Sequence, residues 1–113
     1  MHDIVTALRK SPLVLDVDVI ELIDEPSVQL IKIKATLMND HVLYITELHT
    51  KDWHKYSYHC QRNNGEVIVR WDNTPHWKEM PTYPHHKHEG GNVLPSHRIT
   101  IADVFDYLEK RLG

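Results

Sequence analysis

The sequence predicts an α+β fold, an antiparallel meander of about five to six strands packed against a C-terminal helix, on three observations. Residues 13–73 are rich in Val, Ile, Leu, Thr and Tyr, in runs separated by turn residues, which is the pattern of successive antiparallel strands. Asn63-Asn64-Gly65 is a strong hairpin signal, because a type I′ turn needs two residues with positive φ. Near the end of the chain, Ile101, Val104, Phe105, Leu108 and Leu112 fall on one helical stripe, with Thr100 as N-cap and Asp103 at the third helical position.

Each element follows from local chemistry. Ile4, Val5 and Leu8 fit a short N-terminal helix that ends before Ser11-Pro12. The first strand, about 13–23, stops at Asp24-Glu25-Pro26, since a proline cannot donate to a ladder. In the second, about 28–37, Ile31, Ile33, Ala35 and Leu37 alternate inward with Lys32, Lys34 and Thr36 outward, and Asn39-Asp40 turns the chain. The third covers about 42–49. In the fourth, about 54–61, His54, Tyr56, Tyr58 and Cys60 share one face, while Lys55, Ser57, His59 and Gln61 share the other. The fifth covers about 66–71. Residues 72–99, rich in proline and histidine, show no sustained period and are expected to form one long ordered loop across an end of the sheet, with at most one short strand.

At 113 residues and 41% hydrophobic content, the chain can fill one core and not two, so a single domain over 1–113 is expected. No apolar run reaches membrane-spanning length, and the first residues lack the basic-then-apolar order of a signal peptide, so the expected location is cytoplasmic with no membrane partner. One cysteine, Cys60, excludes an internal disulfide and any Cys-x-x-Cys metal half-site. The formal net charge is −3, but ten histidines make the sign pH-dependent, since half of them gain a proton near pH ~6.5. Acids dominate the first half, whereas Lys, Arg and most histidines lie in the second.

Chemistry is therefore expected around Arg70-Trp71-Asp72-Asn73-Thr74-Pro75-His76, at a strand end, and Pro84-His85-His86-Lys87-His88, which closes the following loop. Imidazoles exchange protons near neutrality, and a guanidinium or ammonium stabilises the extra charge of a pentavalent phosphate, a set suited to metal-free RNA cleavage. Other readings of the same residues stand beside it. The histidines also fit a solvated loop, Asp72-Asn73 a turn cap, and Trp71 and Trp77 core or loop anchors. His86 and His88, two apart, face one side of an extended segment, where His76 or Asp72 completes a zinc site.

From Tyr58 to the C-terminal helix, the order of a tyrosine-rich strand, Trp71-Asp72-Asn73, His86-Lys87-His88, Gly90-Gly91 and a closing helix resembles the TumE-family toxins of toxin–antitoxin pairs. His76, His85 and the length of the insertion between the two motifs depart from that pattern. The resemblance implies a toxin-like protein with a DNA-binding, helix-turn-helix antitoxin as partner and RNA as target. The resemblance assigns no catalytic residues; on the ribonuclease reading of the residues themselves, Asp72, His86, His88, Arg70 and Lys87 form the site with no cofactor, and Lys55, His59, Trp71, Asn73, His76 and His85 contact RNA. A homo-oligomer is compatible with it. The alternative is a non-catalytic module that binds RNA, the antitoxin or a metal. A basic concave surface around the histidines favours catalysis, and a flat apolar patch with dispersed histidines favours the module.

Overall fold

A computed structural model describes the backbone of residues 2–113 and the side chains from Ile4 onward. Helix α1 (His2–Lys10) precedes strands β1 (Val14–Glu25), β2 (Val28–Leu37), β3 (His41–Thr50), β4 (His54–Arg62), β5 (Val67–Asp72), β6 (His86–Glu89) and β7 (Asn92–Pro95), and helix α2 (Ile101–Leu112) closes the chain. The strands form one seven-stranded antiparallel sheet in sequential order, so the meander is longer than the sequence predicts. Among the described residues no helix is long and apolar enough to cross a membrane.

The additional strands come from the segment expected as a loop. Residues 86–95 form the β6–β7 hairpin, turned by Gly90 and Gly91 at φ of 59° and 78°, the left-handed pair that a two-residue hairpin turn requires. Four polar residues in β6 carry no apolar alternation, so backbone pairing to β5 and β7, rather than side-chain burial pattern, creates the strand. Asn39 and Asp40, at φ of 60° and 62°, turn β2 into β3 as expected. The 63–65 turn differs from its expected form. Only Gly65 there has positive φ, and Gly65 N–H donates to the Arg62 carbonyl at 2.9 Å, giving a three-residue loop that ends in a glycine bulge.

One face of the sheet carries the core. Ile31, Ile33, Ala35, Leu43, Ile45, Tyr56, Tyr58, Cys60, Val69 and Trp71 pack with Ile4 and Leu8 of α1 and with Ile101, Val104, Phe105 and Leu108 of α2. The Thr100–Asp103 capping box starts α2, and Lys110 and Arg111 in its last turn complement the helix dipole. Trp71 stands edge-on to Tyr107 with ring centroids 5.2 Å apart. Burial raises the Cys60 thiol to about 11, consistent with a structural rather than a nucleophilic cysteine.

Alternation sends the intervening side chains to the opposite, open face. The strand registers align them in two rows, Lys34–Tyr44–His59–Arg70–His88 and Lys32–Thr46–Ser57–Asp72–His86. Because Leu108 is fully buried between helix and sheet, Leu108→Ala is expected to lower the unfolding free energy by ~2–5 kcal/mol in a denaturant titration, and an unchanged midpoint would show an undocked helix.

Candidate functional site

Asp72 ends β5 on the open face, with Arg70 two residues earlier on the same side. The β5–β6 register sets His88 opposite Arg70 and His86 opposite Asp72, so residues separated by a loop in sequence meet as cross-strand neighbours. Asp72 Oδ1 lies 2.9 Å from His86 Nε2 and accepts from Thr74 N–H at 3.0 Å. Asp72 Oδ2 accepts from Arg70 Nε at 3.0 Å and lies 3.6 Å from His88 Nε2. Burial alone would push the Asp72 carboxyl up, but the Thr74 and Arg70 hydrogen bonds and nearby His86 outweigh it and hold the group below 3.8. His88 is pushed down by burial and by the nearby His86, Arg70 and His59 side chains, against the pull of Asp72.

Hydrogen bonds fix the ring orientations. The Pro84 carbonyl accepts from His86 Nδ1 at 3.0 Å, which turns Nε2 toward Asp72. Arg70 Nη1 donates to His59 Nδ1 at 3.3 Å, which leaves His59 Nε2–H to donate to Gln61 Oε1 at 2.9 Å. Trp77, from the 73–85 loop, stands edge-on to both His86 and His88, at 6.3 and 6.4 Å between centroids. Beside the cluster, His59, Val67, Arg70, His88 and the Glu89–Asn92 turn line an open hollow of about 320 Å³.

The structure therefore joins Asp72, His86, His88, Arg70 and His59, and it separates the other expected site residues from them. Lys87, between the two histidines in a strand, points to the helix side, where its ammonium lies 5.3 Å from the Tyr107 ring centre and 3.2 Å from Glu89. Trp71 is a core residue, only 2% exposed. Asn73 bridges strand ends, donating to the His54 carbonyl at 2.7 Å and accepting from Tyr56 N–H at 3.0 Å. His85 accepts from the Tyr56 hydroxyl at 2.8 Å, a phenol pushed up to about 12 by burial. Lys55 is on the open face of β4, its ammonium 5.9 Å from the Trp53 ring centre. His76 is exposed in the 73–85 loop, and the third potential ligand atom converging with those of His86 and His88 belongs to Asp72 instead.

A second polar cluster lies on the helix side at the ends of β3 and β4. Tyr58 donates to Glu47 Oε2 at 2.6 Å, His49 Nε2 lies 3.3 Å from Glu47 Oε1, and Arg98 Nη2 donates to His54 Nδ1 at 2.7 Å. The His49 and His54 rings stack at 3.9 Å. Its members come from three separate stretches, so only the inward placing of His54 beside the tyrosines hinted at it in the sequence.

A small α+β protein with a histidine–carboxylate cluster on a cation-bearing sheet face is the class that these features define. The chain matches the family model described as Toxin TumE over residues 4–112, nearly its whole length, and it belongs to that toxin family. Membership implies an antitoxin partner. No curated protein and no solved structure matches the chain.

His54 and His85 are both held below 6.5, chiefly by burial and then by nearby cationic groups. The unfolded chain thus takes up protons near pH 6.5 that the folded chain refuses, so the stability these residues contribute is present above that pH and is lost as pH falls through it. Thermal midpoints are expected to fall between pH 7.5 and pH 5.5, about one unit either side of an ordinary histidine's value, and less steeply in a His54→Gln/His85→Gln variant. Parallel slopes for the two proteins would contradict this assignment.

Proposed function

We propose that this member of the toxin family is a ribonuclease whose active site is the Asp72–His86–His88 cluster with Arg70 and His59, kept inactive by a helix-turn-helix antitoxin in the cytoplasm. The observation that carries the reading is the convergence of these five side chains on an open sheet face, beside a hollow wide enough for part of a nucleotide. Arg70 uses Nε on Asp72 and Nη1 on His59, which leaves Nη2 to hold a phosphoryl oxygen. His88, about one third exposed, exchanges a proton with a reacting oxygen, while buried His86 holds Asp72. Lys34, Lys32 and Lys55 on the same face supply the sequence-independent attraction to a phosphate backbone, although Lys32 also pairs with Glu21 at 3.6 Å. The hollow is concave and gathers His59, His88 and Arg70, with Glu89 at its rim, which supports the catalytic reading over a flat passive module.

The test incubates a mixed-sequence RNA transcript with the protein, with His88→Ala and with His97→Ala, a substitution at an exposed histidine outside the cluster. His88→Ala is expected to slow cleavage by about 10²-fold or more, the usual contribution of a proton-transferring side chain, and His97→Ala to leave it unchanged. RNA that is bound but left intact by the unaltered protein would instead identify a binding module.

A further inference from the structure

The same three side chains that define the proposed active site have the spacing and orientation of metal ligands. Ligand atoms at ~2.0–2.2 Å from an ion lie about 2.9 Å apart at a right angle and about 3.4 Å apart at the tetrahedral angle. Asp72 Oδ1 lies 2.9 Å from His86 Nε2 and Asp72 Oδ2 lies 3.6 Å from His88 Nε2, distances close to such edge lengths from the two oxygens of one carboxylate, and one ligand atom from each residue lies within 4.8 Å of the other two.

Ring orientation separates this cluster from the other one. An ion bound by imidazole lies near the plane of the ring, so two histidines share an ion only where their planes meet. The His86 and His88 rings cross at 79° with centroids 5.0 Å apart, whereas His49 and His54 are stacked at 19° and 3.9 Å, which leaves nearly parallel planes. Arg98 further disfavours a cation at the second cluster by placing its own charge on His54 Nδ1.

The surroundings complete the argument. The Pro84 carbonyl holds the far nitrogen of His86 in its protonated form and aims Nε2 inward, the outer support that metal-bound histidines commonly have. Thr74 and Arg70 orient the Asp72 carboxylate. Two histidines and one carboxylate leave coordination positions free, and the hollow beside His88 carries Arg70 and His59, which suit an anionic oxygen as the further ligand.

We propose that Asp72, His86 and His88 bind one divalent transition-metal ion, with Zn²⁺ best matched to two imidazoles and a carboxylate, and that its open positions face the Arg70–His59 hollow. Mg²⁺, which prefers oxygen ligands and retained water, is not the ion for this site. With an ion bound, His86 and His88 would serve as its ligands instead of carrying protons, and the ion would supply Lewis-acid polarisation to a phosphoryl oxygen held by Arg70. Its part in RNA cleavage rests on the ribonuclease reading, whereas its binding rests on ligand geometry alone.

Isothermal titration of tag-free, EDTA-treated and desalted protein with ZnCl₂, and separately with MgCl₂, tests the site. One Zn²⁺ per chain is expected, without matching Mg²⁺ binding, and Co²⁺ added in its place should give visible d–d absorption. His86 is fully buried, so His88, about one third exposed, is the ligand to change. His88→Ala should weaken Zn²⁺ binding at least ~10-fold, and His49→Ala and His54→Ala should leave it unchanged. Equal affinity in the unaltered protein and His88→Ala, or a larger loss from His49→Ala or His54→Ala, would overturn the proposal. RNA assays on the same samples separate the two ideas: Zn²⁺ bound through His88 without RNA cleavage sinks the ribonuclease and keeps the metal site. Unimpaired cleavage in excess EDTA removes the metal from the reaction.

Discussion

A buried carboxylate with no partners would be one of the costliest features a small domain could contain, and the arrangement around Asp72 follows from that constraint. Asp72 is 4% exposed, and each of its oxygens has two polar neighbours, Thr74 N–H and His86 on one, Arg70 and His88 on the other. Satisfying it fixes the first residues of the loop, the rotamer of Arg70 and the register of β6. The histidine pair is positioned through the same network, so packing and chemistry depend on one charge.

The two faces of the sheet divide the labour. On the helix side, tyrosines, Trp71 and the aliphatic residues fill the core against α1 and α2, and Glu47 there is anchored by Tyr58. The open side carries the cross-strand rows of Lys, His, Arg and Asp. Neighbours in sequence are thus placed on opposite faces. His86 and His88 reach the cluster, while Lys87 between them covers Tyr107 on the far side.

Much of this fold was legible in the sequence because β2, β4 and α2 obey the periods of strand and helix, and their caps and turns agree with them. The β6–β7 hairpin was not legible, since His86–Glu89 and Asn92–Pro95 are too short and too polar to show a burial pattern, and only pairing with β5 makes them strands. The same gap explains the site. Asp72, His86, His88 and Arg70 stand out in the sequence by residue type, but Lys87 joins them there only by adjacency, because the four polar residues of β6 show no strand alternation. Trp71 and Asn73 fit the plainer roles of core residue and turn bridge. The Glu47–His49–His54–Arg98 cluster depends on the tertiary meeting of β3, β4 and the stretch before α2, which no local pattern encodes.

On the ribonuclease reading, the open face around Asp72, and not the cluster on the helix side, meets the RNA backbone. Long-range ¹H–¹⁵N NMR of histidine-labelled protein, titrated with a 2′-O-methyl RNA whose blocked hydroxyls keep it intact, tests this directly. The account predicts that the ring nitrogens of His59 and His88 shift on addition of RNA, that His86 keeps its proton on Nδ1 before RNA is added, and that His49 and His54 stay in place. Shifts concentrated at His49 and His54, with His59 and His88 unmoved, would contradict it.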